Sequence, residues 1–311
     1  MPISTQSRRH FVGLTVAAVA GSCFGRTAEA TGPVPSGEIA FLSDPHVSGD
    51  ASKIARDVNM TEHLSRVVDD VVATMPPHSD VIVNGDCAYL KGLADDYKQF
   101  VRLVSPLMKV GHRLHVTMGN HDDRGPFLAA LQTMAEQDVA VSEKHVGTIE
   151  LDRFHLVLLD SLWKVDVVTG QFGSEQITWL TDYANRHADT PLLIVGHHNL
   201  QLGVQPGQRV SGLSDSDEFV KVLSSHPNIR AYFYGHTHEW KVQPLRRRDP
   251  NLQLVNLPAV AYVFNSKEPS GWVHGRRDGD SLRLKIHCLD DSHPANGETV
   301  SLPLKDTVAI R

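Results

Sequence analysis

Short, continuous apolar runs recur along the chain, and longer segments with helical spacing separate most of them. The runs are rich in β-branched and aromatic residues and cover residues 39–42, 81–83, 114–117, 155–159, 192–195 and 231–234. Helical spacing is found at residues 58–75, 95–108 and 174–187. Continuous apolar strands that alternate with helices are covered on both faces, so the sequence predicts a layered α/β core.

The pattern changes after Gly235. Four further strands are predicted with no helix between them, at residues 253–256, 262–264, 271–274 and 282–287. This arrangement is typical of an antiparallel sheet that closes the fold. We find no internal repeat and no low-complexity linker, so residues 31–311 are interpreted as one domain.

Residues 1–30 are typical of an export signal. The pair Arg8-Arg9 precedes a mostly apolar stretch and the small-residue site Ala28-Glu29-Ala30. The arginine pair followed by x-Phe-Val resembles the twin-arginine signal, and we expect an exported protein, periplasmic or extracellular, with no transmembrane segment in the mature chain. Two alternatives stay open, an ordinary secretory signal and a lipid anchor on Cys23.

Charge and cysteine content exclude some functions. The chain carries 30 Lys and Arg against 36 Asp and Glu, a formal net charge of -6, and has no long basic run, so nucleic acid is not an expected partner. Cys87 and Cys288 remain after the signal, and we expect two buried free thiols, although spacing alone does not exclude a disulfide.

Polar side chains follow five of the predicted strands, at the point where each strand ends. The residues are Asp44 and His46, then Asp86, then Asn120, His121 and Asp122, then His197 and His198, and finally His236 and His238. Ligands of α/β sheets gather at the carboxyl ends of the strands, so we expect these side chains to converge.

These residue types indicate metal chemistry. Aspartate, asparagine and histidine supply oxygen and nitrogen ligands without thiolates, which suits Fe, Mn, Zn or Co. Asp44 and His46 are two residues apart, as are His236 and His238, so on extended backbone each pair points to one face. Seven or eight ligands are too many for one ion and suit two ions that share a carboxylate. Such a centre can act on a phosphoester.

The order of these blocks resembles the calcineurin-like metallophosphoesterase superfamily, whose pattern is D-x-H, GD, GNH-D/E, H and G-H-x-H. All five blocks are present, and the resemblance spans about residues 38–290. It implies an α/β fold, a four-layer α-β-β-α sandwich. It also implies two divalent or mixed-valence transition-metal ions, one held by Asp44, His46, Asp86 and His238 and the other by Asp86, Asn120, His197 and His236.

The resemblance also implies roles for residues that are not metal ligands. His121 would reach the phosphoryl oxygens or the leaving group, and Asp122 would either orient His121 or cap a turn. His198 is expected beside the site or in the core. Tyr89 stands where purple acid phosphatases have an iron-ligating tyrosinate, and we interpret it as a pocket wall, with the metal ligand as the alternative.

The family resemblance yields the functional hypothesis. In motif spacing and length the chain is similar to class III cyclic-nucleotide phosphodiesterases and glycerophosphodiesterases. We expect an exported dinuclear enzyme that hydrolyses small phosphodiesters, with phosphomonoesters as a further class, by attack of a metal-bridging hydroxide on phosphorus. The alternatives are a 3′,5′-cyclic-nucleotide phosphodiesterase and a non-catalytic exported metal-binding protein. The sequence does not indicate an oligomeric state.

Two connections are candidates for substrate recognition. Residues 200–215 form a long, glycine-containing connection that could act as a lid. Arg246-Arg247-Arg248 is interpreted either as a solvated charged run or as a recognition patch for a second phosphate.

Overall fold

The computed structural model of the chain describes residues 37–131, 141, 143–246 and 249–305. The signal predicted at residues 1–30 lies outside the described residues, as do Arg247 and Arg248. Arg246 is exposed at the end of a strand. The export signal, its boundary at residue 30 and the phosphate-binding role of the arginine run therefore stay predictions.

The described strands and helices follow one another in an alternating order over the first two thirds of the chain. The strands are β1 (Glu38–Ser43), β2 (Ile54–Ala55), β3 (Val58–Asn59), β4 (Asp80–Asn84), β5 (Arg113–Thr117), β6 (Gly147–Leu151), β7 (Phe154–Leu158), β8 (Leu192–Val195), β9 (Ile229–Tyr234), β10 (Lys241–Arg246), β11 (Asp249–Asn256), β12 (Gly271–Asp278), β13 (Ser281–Cys288) and β14 (Thr299–Pro303). The helices are α1 (Met60–Thr74), α2 (Ala94–Lys109), α3 (Arg124–Leu131), α4 (Ser174–Arg186) and α5 (Ser216–Ser225).

Twelve of these strands form two six-stranded sheets. The first has the order β14-β13-β12-β1-β4-β5 and the second the order β10-β11-β9-β8-β7-β6. In the first sheet β1, β4 and β5 are parallel, and in the second β7, β8, β9 and β11 are parallel. The parallel strands of each sheet therefore end at the same edge, where the predicted site residues follow.

Alternate residues of β1 show why its apolar run is continuous. Ile39 and Phe41 belong to the core between the two sheets, where Phe41 stacks on Phe233 at 4.7 Å. Ala40 and Leu42 face the other way, into the core under α1 and α2. Each fully buried large apolar side chain contributes roughly 1.5–3 kcal/mol, so both faces are needed for stability.

A third core lies between the second sheet and its helices. It contains Leu180 of α4 and Phe219 of α5, packed with Ile194 and Tyr232 of the sheet. Helices therefore cover the outer face of each sheet, and the predicted four-layer α-β-β-α sandwich is confirmed.

Helix α1 shows how local sequence sets an element. Asn59 caps its start by accepting a hydrogen bond from the Glu62 amide, and Leu64, Val67 and Val71 lie on its buried face. The helix ends at Thr74, shortly before the Pro76-Pro77 pair, as predicted.

The prediction for the C-terminal region is partly wrong. Strands β12, β13 and β14 are antiparallel and extend the first sheet, but β11 joins the second sheet parallel to β9. Residues 262–264 form no strand, because the backbone of this segment binds the ends of other strands: Ala261 N donates to Asp44 O, and Tyr262 O accepts from the His238 ring. The structure also adds five strands and two helices that were not predicted, namely β2, β3, β6, β10, β14, α3 and α5.

The two cysteines of the described chain, Cys87 and Cys288, are both free and buried, as predicted. Burial raises the pKa of the Cys87 thiol well above its usual value. Among the described residues, no helix combines the length and the apolar character that a membrane span needs.

Candidate metal centre

The structure brings all seven predicted ligands to one place. Asp44 and His46 follow β1, Asp86 follows β4 and Asn120 follows β5 of the first sheet. His197 follows β8, and His236 and His238 follow β9 of the second sheet. Each sheet supplies part of the site, so the site depends on the packing of one sheet against the other.

The backbone at these strand ends is not extended. The sequence analysis had expected extended backbone for the pair Asp44 and His46 and for the pair His236 and His238. Five ligand residues have φ between 46° and 67°, in the left-handed region: Asp44, His46, Asp86, His236 and His238. This conformation costs about 1–2 kcal/mol per non-glycine residue. The pairs still share one site because the chain turns sharply at each strand end, and such strain is typical of functional sites.

Three glycines beside the ligands make room for them. A Cβ on Gly119 would overlap the Asp86 carboxylate, and one on Gly235 would overlap Ser43 Oγ and the Asp44 carboxylate. A Cβ on Gly85 would lie 2.5 Å from the His197 ring, and its φ is +73°. The glycines that accompany the ligand motifs are therefore set by close approach.

The first ligand group contains Asp44, His46, Asp86 and His238. His46 Nε2 lies 3.1 Å from His238 Nε2 and 3.8 Å from Asp86 Oδ2, and His238 Nε2 lies 3.3 Å from Asp44 Oδ1. Ligands about 2.0–2.1 Å from a tetrahedral ion are separated by about 3.3 Å, so this group fits one ion.

The second ligand group shares Asp86 with the first. His197 Nε2 lies 3.3 Å from Asp86 Oδ2 and has no hydrogen-bond partner, and the buried Asn120 Oδ1 also has none. The His236 ring lies 5.2 Å from the His197 ring. Buried polar atoms without partners are costly, and a cation between them would satisfy both.

Backbone carbonyls hold three of the histidines from behind. His197 Nδ1 donates to Asn84 O at 2.9 Å, His238 Nδ1 to Tyr262 O at 2.5 Å, and His236 Nε2 to Ser211 O at 2.7 Å. Each bond fixes the tautomer and leaves the other ring nitrogen for the centre, as is usual for metal-binding histidines.

The charges in the site also favour a cation. Burial raises the pKa of Asp86, but His197 and His121 outweigh this effect and hold it well below the usual range. Burial lowers the pKa of His46 to about 3 and, together with His197, that of His236 to about 4. Burial opposes protonation of His197 as well, yet Asp86 and Asp44 raise its pKa to about 10. The pKa of the buried Asp44 carboxyl is lowered as well, so the protein keeps both Asp44 and Asp86 ionised, as metal ligands require.

His121 lies beside the first ligand group and is partly exposed. Its amide donates to Asp86 Oδ1 at 2.8 Å, and its ring Nδ1 donates to Leu90 O at 2.8 Å. Asp166 Oδ1 lies 3.5 Å from the same nitrogen. Sequence reasoning missed Asp166, which lies in a connection without a recognisable motif.

Asp122 was expected either to orient His121 or to cap a turn, and its described hydrogen bonds favour the turn. Its carboxylate accepts hydrogen bonds from the amides of Cys87, Ala88 and Gly119 and from the Tyr97 hydroxyl. Burial and the charge of Asp86 raise its pKa to about 6. The contacts match the turn-capping alternative: Asp122 ties together the loops that carry Asp86 and Asn120.

His198 and Tyr89 lie near the centre in different surroundings. The buried His198 hydrogen-bonds Ser161 Oγ at 2.7 Å through Nδ1 and packs on the rings of His197 and His236, as expected of a residue beside the site. Tyr89 packs near Met60 and Tyr262, and Lys53 lies 5.3 Å over its ring. Tyr89 is not among the described residues that line the pocket over the ligands, so the pocket-wall interpretation is not confirmed and these contacts favour a packing role.

A pocket of about 460 Å³ opens onto the ligands. Besides ligand residues and His121, its walls contain Asp166, Val168, Asn199, Ser211, Thr237, Glu239, Tyr262 and Phe264. Sequence analysis missed Tyr262 and Phe264 as pocket residues because their apolar run was interpreted as a strand.

The comparisons with known proteins agree with this geometry. The family model for calcineurin-like phosphoesterases matches residues 37–240. The chain is 23% identical over 274 residues to a 3′,5′-cyclic-nucleotide phosphodiesterase of Nostoc sp., covering 88% of this chain and 96% of the relative. It is 25% identical over 224 residues to the 3′,5′-cyclic adenosine monophosphate phosphodiesterase CpdA of Haemophilus influenzae, covering 72% of this chain and 76% of that protein.

Solved structures share the fold at low identity. A dimetal phosphatase from Danio rerio superposes with a TM-score of 0.63 at 14% identity, covering 87% of this chain and 100% of that one. A purple acid phosphatase from yellow lupin also gives a TM-score of 0.63, at 13% identity, covering 86% of this chain and 53% of that one. The family model and the fold lead to the same assignment. This chain is a member of the calcineurin-like phosphoesterase family and a metal-dependent phosphoester hydrolase.

Proposed function

We propose that the chain is an exported dinuclear phosphodiesterase. The observation that supports this best is the gathering of ligand atoms from five strand ends into two groups that share Asp86. Asp44, His46, Asp86 and His238 would hold one ion, and Asp86, Asn120, His197 and His236 the other. When bound, two such ions supply an activated water and neutralise charge on the phosphoryl oxygens.

The chain's own residues supply the remaining chemistry. Since Nδ1 of His121 is held by Leu90 O, its Nε2 is the nitrogen left to meet the substrate. We assign His121 to stabilise the phosphoryl oxygens and to donate a proton to the leaving oxygen.

The pocket favours a diester over a monoester. Among its described lining residues none is lysine or arginine, whereas Asp166 and Glu239 are carboxylates. A phosphomonoester dianion carries two negative charges and a diester carries one, so these carboxylates repel the monoester more strongly. We take phosphodiesters as the preferred substrates and monoesters as the poorer ones, because the described lining supplies no lysine or arginine to bind the additional charge of a monoester.

A 3′,5′-cyclic-nucleotide phosphodiesterase is the second candidate. It is favoured by the activities for which the Nostoc and Haemophilus relatives are named, and the Nostoc protein is matched over 96% of its length. A cyclic nucleotide is itself a singly charged diester, so it satisfies the same charge requirement.

The bridging residue gives the sharpest test. Asp86→Ala should remove both ions and all turnover, because Asp86 faces both ligand groups. His121→Ala should keep both ions and lose about 10²–10⁴-fold in rate, the usual contribution of a general acid. Metal content and hydrolysis of a bis-aryl phosphodiester are the two measurements.

Two results would count against the proposal. Normal binding of two equivalents of metal by Asp86→Ala would refute the shared ligand. A wild-type protein that binds two ions but hydrolyses no phosphoester would favour the non-catalytic metal-binding alternative.

A further inference from the structure

Phe264 is an aromatic side chain at the mouth of the pocket that keeps much of its surface exposed. It stacks on the ring of the metal-ligand candidate His238, with the ring centroids 4.2 Å apart and the planes at 22°. Even so, 54% of its surface is exposed. The large apolar side chains of the cores are buried, so the exposed face of Phe264 is an apolar surface that a ligand in the pocket can cover.

Tyr262 adds a second ring to this wall. It stacks on the ligand candidate His46 at 5.1 Å with an interplanar angle of 16°, and it lies 6.0 Å from Phe264. The two aromatic rings therefore back directly onto two ligands of the first group. Both rings line the pocket that opens onto the ligands. A substrate whose phosphorus lies between the ligand groups therefore has an ester group in this pocket, within reach of its walls.

Arg56 lies over both rings. Its guanidinium carbon is 4.9 Å from the centroid of Phe264 and 5.7 Å from that of Tyr262, and the side chain is exposed. No ion pair of Arg56 occurs among the described residues. A guanidinium is planar and stacks on aromatic faces, so it can cover a planar group from the other side.

The backbone that carries Arg56 is strained. β2 and β3 form a hairpin whose two-residue turn is Arg56-Asp57, with φ of 49° and 64°. Turns with two positive φ values prefer asparagine and glycine, and neither is present. Strain of this kind is retained where the position of a side chain matters.

From these observations we propose that Arg56, Tyr262 and Phe264 form a subsite for a planar heterocyclic ester group, such as a nucleobase. The inference rests on the proposed phosphodiesterase function and narrows its substrate class to nucleoside phosphodiesters. The heterocycle stacks on the exposed ring of Phe264 in the place that the exposed Arg56 guanidinium occupies in the structure, and the guanidinium then covers the outer face of the heterocycle.

The test compares two diesters on the metal-loaded enzyme. One is 3′,5′-cyclic AMP and the other is the aliphatic diester glycerophosphoethanolamine. Stacking of a base on an aromatic ring contributes at least about fivefold in binding, so Phe264→Leu should lower the ratio of kcat/KM for cyclic AMP to that for the aliphatic diester by at least about fivefold. Arg56→Ala should lower the same ratio.

Matched controls are available outside the pocket. Trp163→Leu removes another exposed aromatic side chain and Arg102→Ala another exposed arginine, and neither should change the ratio. An unchanged ratio in Phe264→Leu, including an equal loss on both substrates, would overturn the subsite.

Binding of products separates the subsite from the proposed function. Calorimetry should show that Phe264→Leu weakens binding of 5′-AMP to the metal-loaded protein at least about fivefold more than binding of glycerol phosphate. If the wild-type protein hydrolysed neither diester but showed this difference, the proposed function would fail and the subsite would stand. Equal affinities of wild type and variant for 5′-AMP would overturn the subsite even in an active enzyme.

Discussion

Gly235 separates β9 from the ligand His236, and the space beside it is already occupied. A Cβ there would overlap Ser43 Oγ and the Asp44 carboxylate, both of the other sheet. The φ of Gly235 is not among the positive values of the chain, so its backbone conformation does not require a glycine. The glycine is needed because two ligand-bearing loops touch at this point.

We therefore expect Gly235→Ala to destabilise the fold by about 1–3 kcal/mol, as overpacking of a rigid site does, and to lower metal content. Thermal unfolding and metal analysis check both effects. Gly147→Ala is the control, because Gly147 has open space and an ordinary φ, and that substitution should leave both unchanged. Equal behaviour of the two variants would show that the close approach relaxes without cost.

The ligand residues could be predicted from sequence because each carries its own chemistry and follows a recognisable strand. Asp122 stood in the same motif but binds backbone amides, and an aspartate side chain looks the same in either role. Asp166 and Phe264 were missed for another reason. Their place in the pocket depends on the path of the long connections between strands and helices. The pattern of neighbouring residues in the sequence does not indicate that path.

The connection between β8 and α5 is held in place rather than free, which qualifies the lid prediction. Gln201 Oε1 accepts hydrogen bonds from the amides of Ser211 and Gly212 at 2.8 and 3.0 Å. Its Nε2 donates to Arg209 O at 3.0 Å. The Ser211 carbonyl thus fixed accepts the hydrogen bond from the ring of His236.

Gln201→Ala should loosen that carbonyl and weaken binding at the second ligand group by up to about tenfold, because partners behind a ligand tune its affinity. The ion of the first group should be retained. Gln201→Glu keeps the acceptor oxygens and should restore most of the affinity, and Gln205→Ala, in the same connection but without a contact to Ser211, should have no effect. Metal titration by equilibrium dialysis distinguishes these outcomes, and a normal second affinity in Gln201→Ala would refute the coupling.

Strand assignments failed where one apolar run had two explanations. The run at residues 262–264 has the composition of a strand, yet it forms none, and its Tyr262 carbonyl accepts a hydrogen bond from the ring of His238. The run at residues 253–256 does form a strand, but in the second sheet rather than in the antiparallel part of the first. Sheet membership is set by the packing of the whole chain. The layered α/β architecture, in contrast, followed from the alternation of apolar runs and helices, which local sequence records directly.

The whole molecule must be folded before the metal centre exists. The first sheet supplies Asp44, Asp86 and Asn120, and the second supplies His197, His236 and His238. No short segment contains a complete ligand group, so metal binding requires the two sheets to be packed and in turn stabilises that packing.

A centre of this kind suits the export route proposed from residues 1–30, since the twin-arginine route carries proteins that are already folded. Folding and metal loading inside the cell would also let the chain take its ions from the intracellular pool rather than from outside, where affinity order alone would favour other metals.

Replacing Arg8 and Arg9 by lysines should therefore trap a folded, metal-loaded and active precursor in the cell. Fractionation, metal analysis and phosphodiesterase activity measure this, with Arg26→Lys in the same segment as the control that should still be exported. Normal export of the double-lysine variant would show instead that the chain leaves unfolded by the ordinary secretory route and acquires its metals only after it has folded outside.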